Sequence, residues 1–361
     1  MKVDSVKPTV QRVRFLFGVL LLLVLSACRP AEFSESAVVI SKPTATPTSL
    51  AEMAPPAEVQ IVELPLEGEA ATSQAEYSGL AWYQDYLILL PQFPSRFENS
   101  LLAIPKAQIL AFLDGEVVTL TPRKIPIVDA DVKEGLKGFE GYEALAFNGE
   151  IAYLTIESDA GAKMACYVVR GEMAADLSVL TLEAATRQEI PHPVEIDNTC
   201  DEALLVYADQ VVTFFEANGA NINPKPAAHL FDAALDAEGT RPLPSIEYRI
   251  TDVSAPDAAG RFWAVNYMYP GDAGKLEPAA DPLAAEFGVG TSHAASETVE
   301  RLIELEIRDD AITLTDTAPI WLQLLPDESR NWEGLVRLDA RGFLLVTDKF
   351  PETILAFVPY P

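Results

Sequence analysis

One hairpin pattern recurs five times in this chain, and it constrains the fold more than any other feature. The copies are SGLAWYQDYLILLPQ (Ser78–Gln92), EALAFNGEIAYLTIE (Glu143–Glu157), EALLVYADQVVTFFE (Glu202–Glu216), DVSAPDAAGRFWAVN (Asp252–Asn266) and EGLVRLDARGFLLVTD (Glu333–Asp348). Each opens on a polar residue, turns at a Gly, Asn or Asp cluster, and runs through an apolar strand to a second polar residue. Asn148-Gly149 is the clearest turn signal, since a type I′ hairpin turn needs φ > 0 at both central residues. The fourth copy is the most divergent, with Ser254 and Pro256 at positions that are apolar elsewhere.

The copies start at residues 78, 143, 202, 252 and 333, so they lie 65, 59, 50 and 81 residues apart. That spacing leaves room for two further strands after each hairpin. Candidate third strands are Ser100–Ile104, Ala165–Val169, Val299–Ile307 and Ile354–Val358. Repeated four-stranded units predict an all-β β-propeller, whose radial closure protects sheet edges. Five blades fit best, a sixth fits inside the 81-residue gap, and a β-sandwich is the alternative that strand counting leaves open. The last copy has only about three strands before Pro361, so Val59–Pro65 is expected to supply the fourth and close the ring. The longest irregular stretch, Pro270–Ser296, reads as either an ordered lid or a disordered insertion.

The repeat gathers its polar ends. In a blade the innermost strand starts, and the second strand ends, on one face of the ring. Ser78, Gln92, Glu143, Glu157, Glu202, Glu216, Asp252, Asn266, Glu333 and Asp348 are therefore expected near one mouth of a central channel, and seven of the ten are carboxylates. Packed like charges repel unless a cation neutralises them, and Ca²⁺ takes six to eight oxygen ligands. Glu143, Glu202, Asp252, Glu333 and Asp348 are the candidate Ca²⁺ ligands. The competing expectation is that these acids cap strands without metal. Asp129–Gly135 (DADVKEG) lacks the spacing of an EF-hand and reads as a loop. His192, Glu195, Asp197, Asp201 and Glu202 crowd one segment, where a His–acid pair could do proton transfer or simply line a polar loop.

The N-terminus gives an address. Lys2, Lys7, Arg12 and Arg14 precede an eleven-residue apolar run, Phe15–Leu25, too short to span a bilayer and suited to a signal-peptide core. It ends in Leu25-Ser26-Ala27-Cys28, which resembles a bacterial lipobox with Cys28 as the lipidated residue. Residues 1–27 are expected to be a lipoprotein signal peptide, 28–57 a Pro/Ser/Thr-rich tether, and 58–361 the propeller domain. Removing residues 1–27 takes away four basic and one acidic side chain and moves the net charge from −28 to −31. Such a body would be repelled by anionic headgroups, so the lipid alone would hold it to the membrane. It is equally unsuited to nucleic acid, whose binding draws on Lys and Arg. A monomeric, membrane-anchored extracytoplasmic lipoprotein follows as the expectation. Cys166 and Cys200 could bridge there or remain buried thiols. With three histidines and no HExxH or CxxC, zinc is not expected.

The stretches EGLVRLDARGFLLVTDKFPETILAFVP, YEALAFNGEIAYLTIE and YSGLAWYQDYLILLP resemble the phytase-like (esterase-like activity of phytase) propeller family of secreted bacterial proteins, over about Tyr77 to Pro361. That resemblance implies a calcium-dependent propeller acting on an ester or phosphoester. Phosphate would need cations facing it, and Lys349, Arg330 and Arg96 are the candidates. No GxSxG elbow is present. The sequence thus supports a ligand-binding propeller at an acidic mouth, with a calcium-dependent hydrolase as the alternative.

Overall fold

The computed structural model describes residues 54–159, 161, 164–326 and 328–361. The expected signal peptide, Cys28 and most of the expected tether lie outside the described residues. Strands pair in chain order as antiparallel meanders. Tyr77–Tyr83, Tyr86–Pro91, Ser100–Pro105 and Arg123–Val128 form the first. Phe139–Asn148, Ile151–Asp159 and Met164–Met173 form the second, with Leu180–Leu182 and Gln188–Ile190 on its edge. Asp201–Tyr207, Gln210–Phe215, Ala227–Phe231 and Ala237–Pro242 make the third. Arg249–Val253, Arg261–Met268 and Val299–Ile307 make the fourth, edged by Ile312–Leu314 and Ile320–Leu322. Trp332–Leu338, Gly342–Thr347 and Leu355–Pro359 make the last, and Val62–Glu63 from the N-terminal side joins it antiparallel, Val62 opposite Phe357.

The first strand of each meander packs beside the first strand of the next, and Trp332–Leu338 returns to pack beside Tyr77–Tyr83. This cyclic order gives an all-β, propeller-like fold and excludes a two-sheet sandwich. The apolar runs explain it. Side chains alternate across a strand, so a run apolar at every position is buried on both faces. In Tyr86–Pro91, Leu87 and Leu89 pack toward Leu344 and Val346 of the last meander. Ile88 and Leu90 pack toward Leu145 and Leu154 of the second. Comparable clusters join the second meander to the third, the third to the fourth, and the fourth to the last. Each sheet is thus sandwiched between two others, which no alternating polar/apolar strand would permit.

Pro270–Ser296 is ordered and carries short helical turns, Pro282–Phe287 the longest. Two acids, Asp281 and Glu58, are among the groups that tie it down. Asp281 accepts from Arg301 Nη1 at 2.6 Å, and Glu58, on a short strand Glu58–Val59 that pairs parallel with Ile320–Leu322, accepts from Ser292 Oγ at 2.7 Å and lies 2.9 Å from His293 Nδ1. Cys166 and Cys200 are joined in a disulfide linking the second meander to the start of the third. Asp129–Gly135 includes a helical turn, Ala130–Lys133, with Asp129 taken up by Asn99, Tyr142 and Lys133.

Candidate functional site

All five innermost strands break register at the same place, and this break builds the site. Between Tyr77 and Gly79 the bulged residue is Ser78; between Tyr142 and Ala144 it is Glu143; between Asp201 and Ala203 it is Glu202; between Trp332 and Gly334 it is Glu333. A bulged residue is unpaired in the ladder and its side chain is re-aimed. Here it turns to the axis of the ring. The fourth strand skips two residues, Thr251 and Asp252, between Ile250 and Val253. Thr251 Oγ1 donates to Trp332 O, as Ser78 Oγ donates to Tyr142 O, each at 2.5 Å and each just before a bulged glutamate on the neighbouring strand. Thr251 therefore takes the structural place of Ser78.

The result is a cavity of about 410 Å³ lined by one residue or more from every innermost strand. Of the ten repeat-end residues, Ser78, Gln92, Glu143, Glu157, Glu202, Glu333 and Asp348 line it. Glu216 sits directly behind, bonded to a lining residue. Asp252 and Asn266 do not line it. Asp252 is buried, accepting from Leu335 N and from its neighbour Val253 N, both at 2.7 Å. Asn266 bonds to Glu247 O, Arg249 O and Arg301 Nε. Of the candidate metal ligands, then, Glu143, Glu202, Glu333 and Asp348 are brought together and Asp252 is directed to the backbone.

Sequence reasoning missed the group at the centre, Arg249. Its Nη2 donates to both Glu202 oxygens at 2.9 and 2.7 Å, its Nε to Glu216 Oε2, and Nη2 lies 3.6 Å from Glu333. Asn331 completes the cluster, donating to Glu333 Oε1 at 2.6 Å. Burial opposes the charge on Arg249, but the surrounding carboxylates outweigh it and raise its pKa further. A single Arg cannot satisfy six acids. Burial holds Glu202 and Glu333 well above the usual carboxylate range, with Arg249 pulling the other way. Glu143 is pushed up to about 7 by burial and by the Glu216 and Asp348 charges, although Gln92 Nε2 donates to it at 3.0 Å. Glu157 is pushed up to about 9 by burial and then by Glu143 and Glu216. Glu157 Oε1 and Glu216 Oε1 are buried and accept no hydrogen bond.

The set left to receive a ligand is therefore Glu157, Glu143 and the Oδ2 of Asp348, whose Oδ1 accepts from Lys349 N and Phe350 N, with the Gln92 amide oxygen. These are hard oxygen donors of the kind Ca²⁺ takes. At the rim, buried Glu76 takes both Arg96 and Lys349, and Arg96 stacks 4.3 Å from the Phe93 ring centroid. Arg330 does not line the cavity; it is buried on Glu300 at 2.8 Å. Deeper along the axis the walls turn apolar, with Leu80, Leu145, Leu204 and Leu335. His192 lies 2.9 Å from Cys166 Sγ, and Asp201 turns away from the axis to Thr213 and His229, so no His–acid pair opens into the cavity from that segment.

No protein-family model matches the chain, and no curated protein matches it, so the phytase-like resemblance is without support from those comparisons. Solved structures do match. A glutaminyl cyclase from Myxococcus xanthus is similar over 84% of this chain and 99% of its own, at 10% identity and a TM-score of 0.41. A putative glycosidase from Bacteroides thetaiotaomicron covers 87% of this chain and 96% of its own, at 10% identity and a TM-score of 0.46. A putative glycoside hydrolase from Parabacteroides distasonis covers 87% and 95%, at 11% and 0.44. Nothing about the site follows from likenesses of this degree.

Proposed function

We propose that this chain is a monomeric, lipid-anchored extracytoplasmic β-propeller of five blades that binds a positively charged ligand in its acidic mouth. The cyclic order of five innermost strands supports the blade number, and the signal-like N-terminus ending at Cys28 supports the anchor. One observation carries the binding reading: Glu157 is buried on the cavity wall with Oε1 accepting no hydrogen bond. Burying an ionisable oxygen without a partner costs free energy, which a proton or a bound cation would recover. Ca²⁺ is the simplest such cation, and Glu143, Glu157, Asp348 and Gln92 would hold it.

The test is thermal unfolding of the full-length protein in detergent, with EDTA and with millimolar CaCl₂. A ligand that binds only the folded state stabilises it by about 2.7 kcal/mol at a hundredfold excess over Kd. We expect an upward shift in Tm with calcium that Glu157→Gln removes. Absence of any shift in the unaltered protein would eliminate Ca²⁺ as the occupant.

A second reading is a calcium-dependent hydrolase, favoured by Glu143, whose carboxyl is held at about 7 and so keeps a proton to give near neutral pH. An uncharged ester suits this cavity better than a phosphoester. Seven carboxylates line it and Glu216 backs it, and its rim cations Arg96 and Lys349 are both engaged by Glu76. Turnover of p-nitrophenyl acetate that EDTA and Glu143→Gln both abolish would establish this reading; turnover indifferent to both would reject it.

A further inference from the structure

We propose that the ligand of this site is an organic ammonium compound, its charged nitrogen paired with Glu157 and Glu143 and its body laid on an aromatic shelf formed by Tyr267, Tyr269 and Phe350. This rests on the binding reading above and adds the chemical class of the ligand. A second cavity of about 420 Å³ adjoins the acidic one, and the two share Arg249 and Asn331 as lining residues. The acidic well and the shelf thus meet at these two side chains.

The two parts differ in chemistry. Among the described residues three aromatic side chains stand largely exposed, Tyr269 at 52%, Phe350 at 58% and Tyr360 at 47%, and the first two lie on this shelf. Two half-exposed rings lining one cleft offer apolar surface that a ligand body can cover. Their faces attract cations, because the ring quadrupole is negative above the plane. The protein already uses them that way. Lys349 Nζ lies 5.5 Å from the Phe350 ring centroid, and the Arg249 guanidinium lies 6.0 Å from that of Tyr267. A bare metal ion would satisfy the well and leave the shelf unused. A neutral ligand without a donor would cover the shelf and leave the buried Glu157 Oε1 without a partner. An ammonium group on an apolar or ring-shaped body satisfies both.

The proposal is tested by titration calorimetry at pH 7 on the full-length protein in detergent, with two matched pairs of probes and with CaCl₂. The pairs are phenethylamine against 2-phenylethanol, and glucosamine against glucose. We expect at least one amine to bind at least tenfold tighter than its neutral partner. Glu157→Gln should abolish that preference, and Phe350→Ala should weaken the amine about tenfold without changing any calcium response; circular dichroism of both variants confirms that they fold. If CaCl₂ binds and neither amine does, the well is an ion site alone and the ammonium proposal fails while the binding reading stands. If a neutral partner binds as tightly as its amine, the proposal is likewise overturned in favour of an uncharged ligand. If neither calcium nor either amine binds, both fail together.

Discussion

Arg249 donates through Nε to Glu216 Oε2 while its Nη2 grips both oxygens of Glu202, so one guanidinium bridges the third meander from the first residue of the fourth. All three side chains are buried or nearly so. Removing one member of such a cluster leaves charges with no compensation, typically at a cost of about 3–5 kcal/mol. Arg249→Met should lower stability by about that amount in urea unfolding at pH 7. Glu202→Gln or Glu216→Gln in the same background should restore part of it, because fewer acids then lack a partner. If Arg249→Met were neutral alone, the guanidinium would not be what neutralises the mouth.

Much of this arrangement was legible in the sequence, and the part that was not has a definite physical cause. The continuous apolar runs and the polar residue at each end of the hairpin place seven of the ten repeat-end side chains on one cavity. Arg249 was not legible because it precedes the fourth copy by three residues, outside the pattern that aligned the others. The same two-residue bulge misled the alignment at Asp252, since a register shift of that kind moves side chains between faces without changing the hydrophobic pattern. The aromatic shelf was missed because Tyr269 and Phe350 follow strand ends, where neither periodicity nor spacing speaks.

The raised carboxyls make stability depend on pH in a defined direction. Glu157 titrates at about 9 in the fold against an ordinary 4.5, so between those values the folded state holds a proton that the unfolded chain has lost. Its contribution is present in full below the unfolded value and disappears as pH rises through about 9. Glu143 adds a second loss that ends near 7. Stability measured by urea unfolding should therefore fall from pH 5 to pH 9 in calcium-free buffer, and Glu157→Gln should flatten the upper part of the curve. Binding of a cation at the well would release protons, so calorimetric enthalpies should vary with the ionisation enthalpy of the buffer.

The disulfide Cys166–Cys200 spans a sequence separation of 34 and ties a middle strand of the second meander to the residue just before Asp201 and Glu202. Constraining a loop of that order stabilises a fold by about 2–4 kcal/mol. Cys166→Ala with Cys200→Ala should lower the urea midpoint by a corresponding amount, and added dithiothreitol should lower it in the unaltered protein and not in the double variant. Glu202 starts two residues beyond Cys200, so the double variant should also weaken whatever the mouth binds.

Asp252 separates a structural acid from the binding acids. It belongs to the repeat as Glu202 and Glu333 do, yet its carboxylate accepts from Leu335 N on the neighbouring inner strand and from Val253 N, each at 2.7 Å. Burial alone holds its pKa well above the ordinary value, and these backbone donors pull it back. Asp252→Ala would leave a buried amide on each of two strands without an acceptor, a loss of about 1–3 kcal/mol for each. The expected outcome is a clear drop in urea midpoint together with an unchanged affinity for calcium or for an amine. Glu157→Gln should do the reverse, holding or raising stability at pH 8 while removing binding. A variant of Asp252 that folded normally and lost binding would return that residue to the ligand set and require the fourth inner strand to present it to the axis.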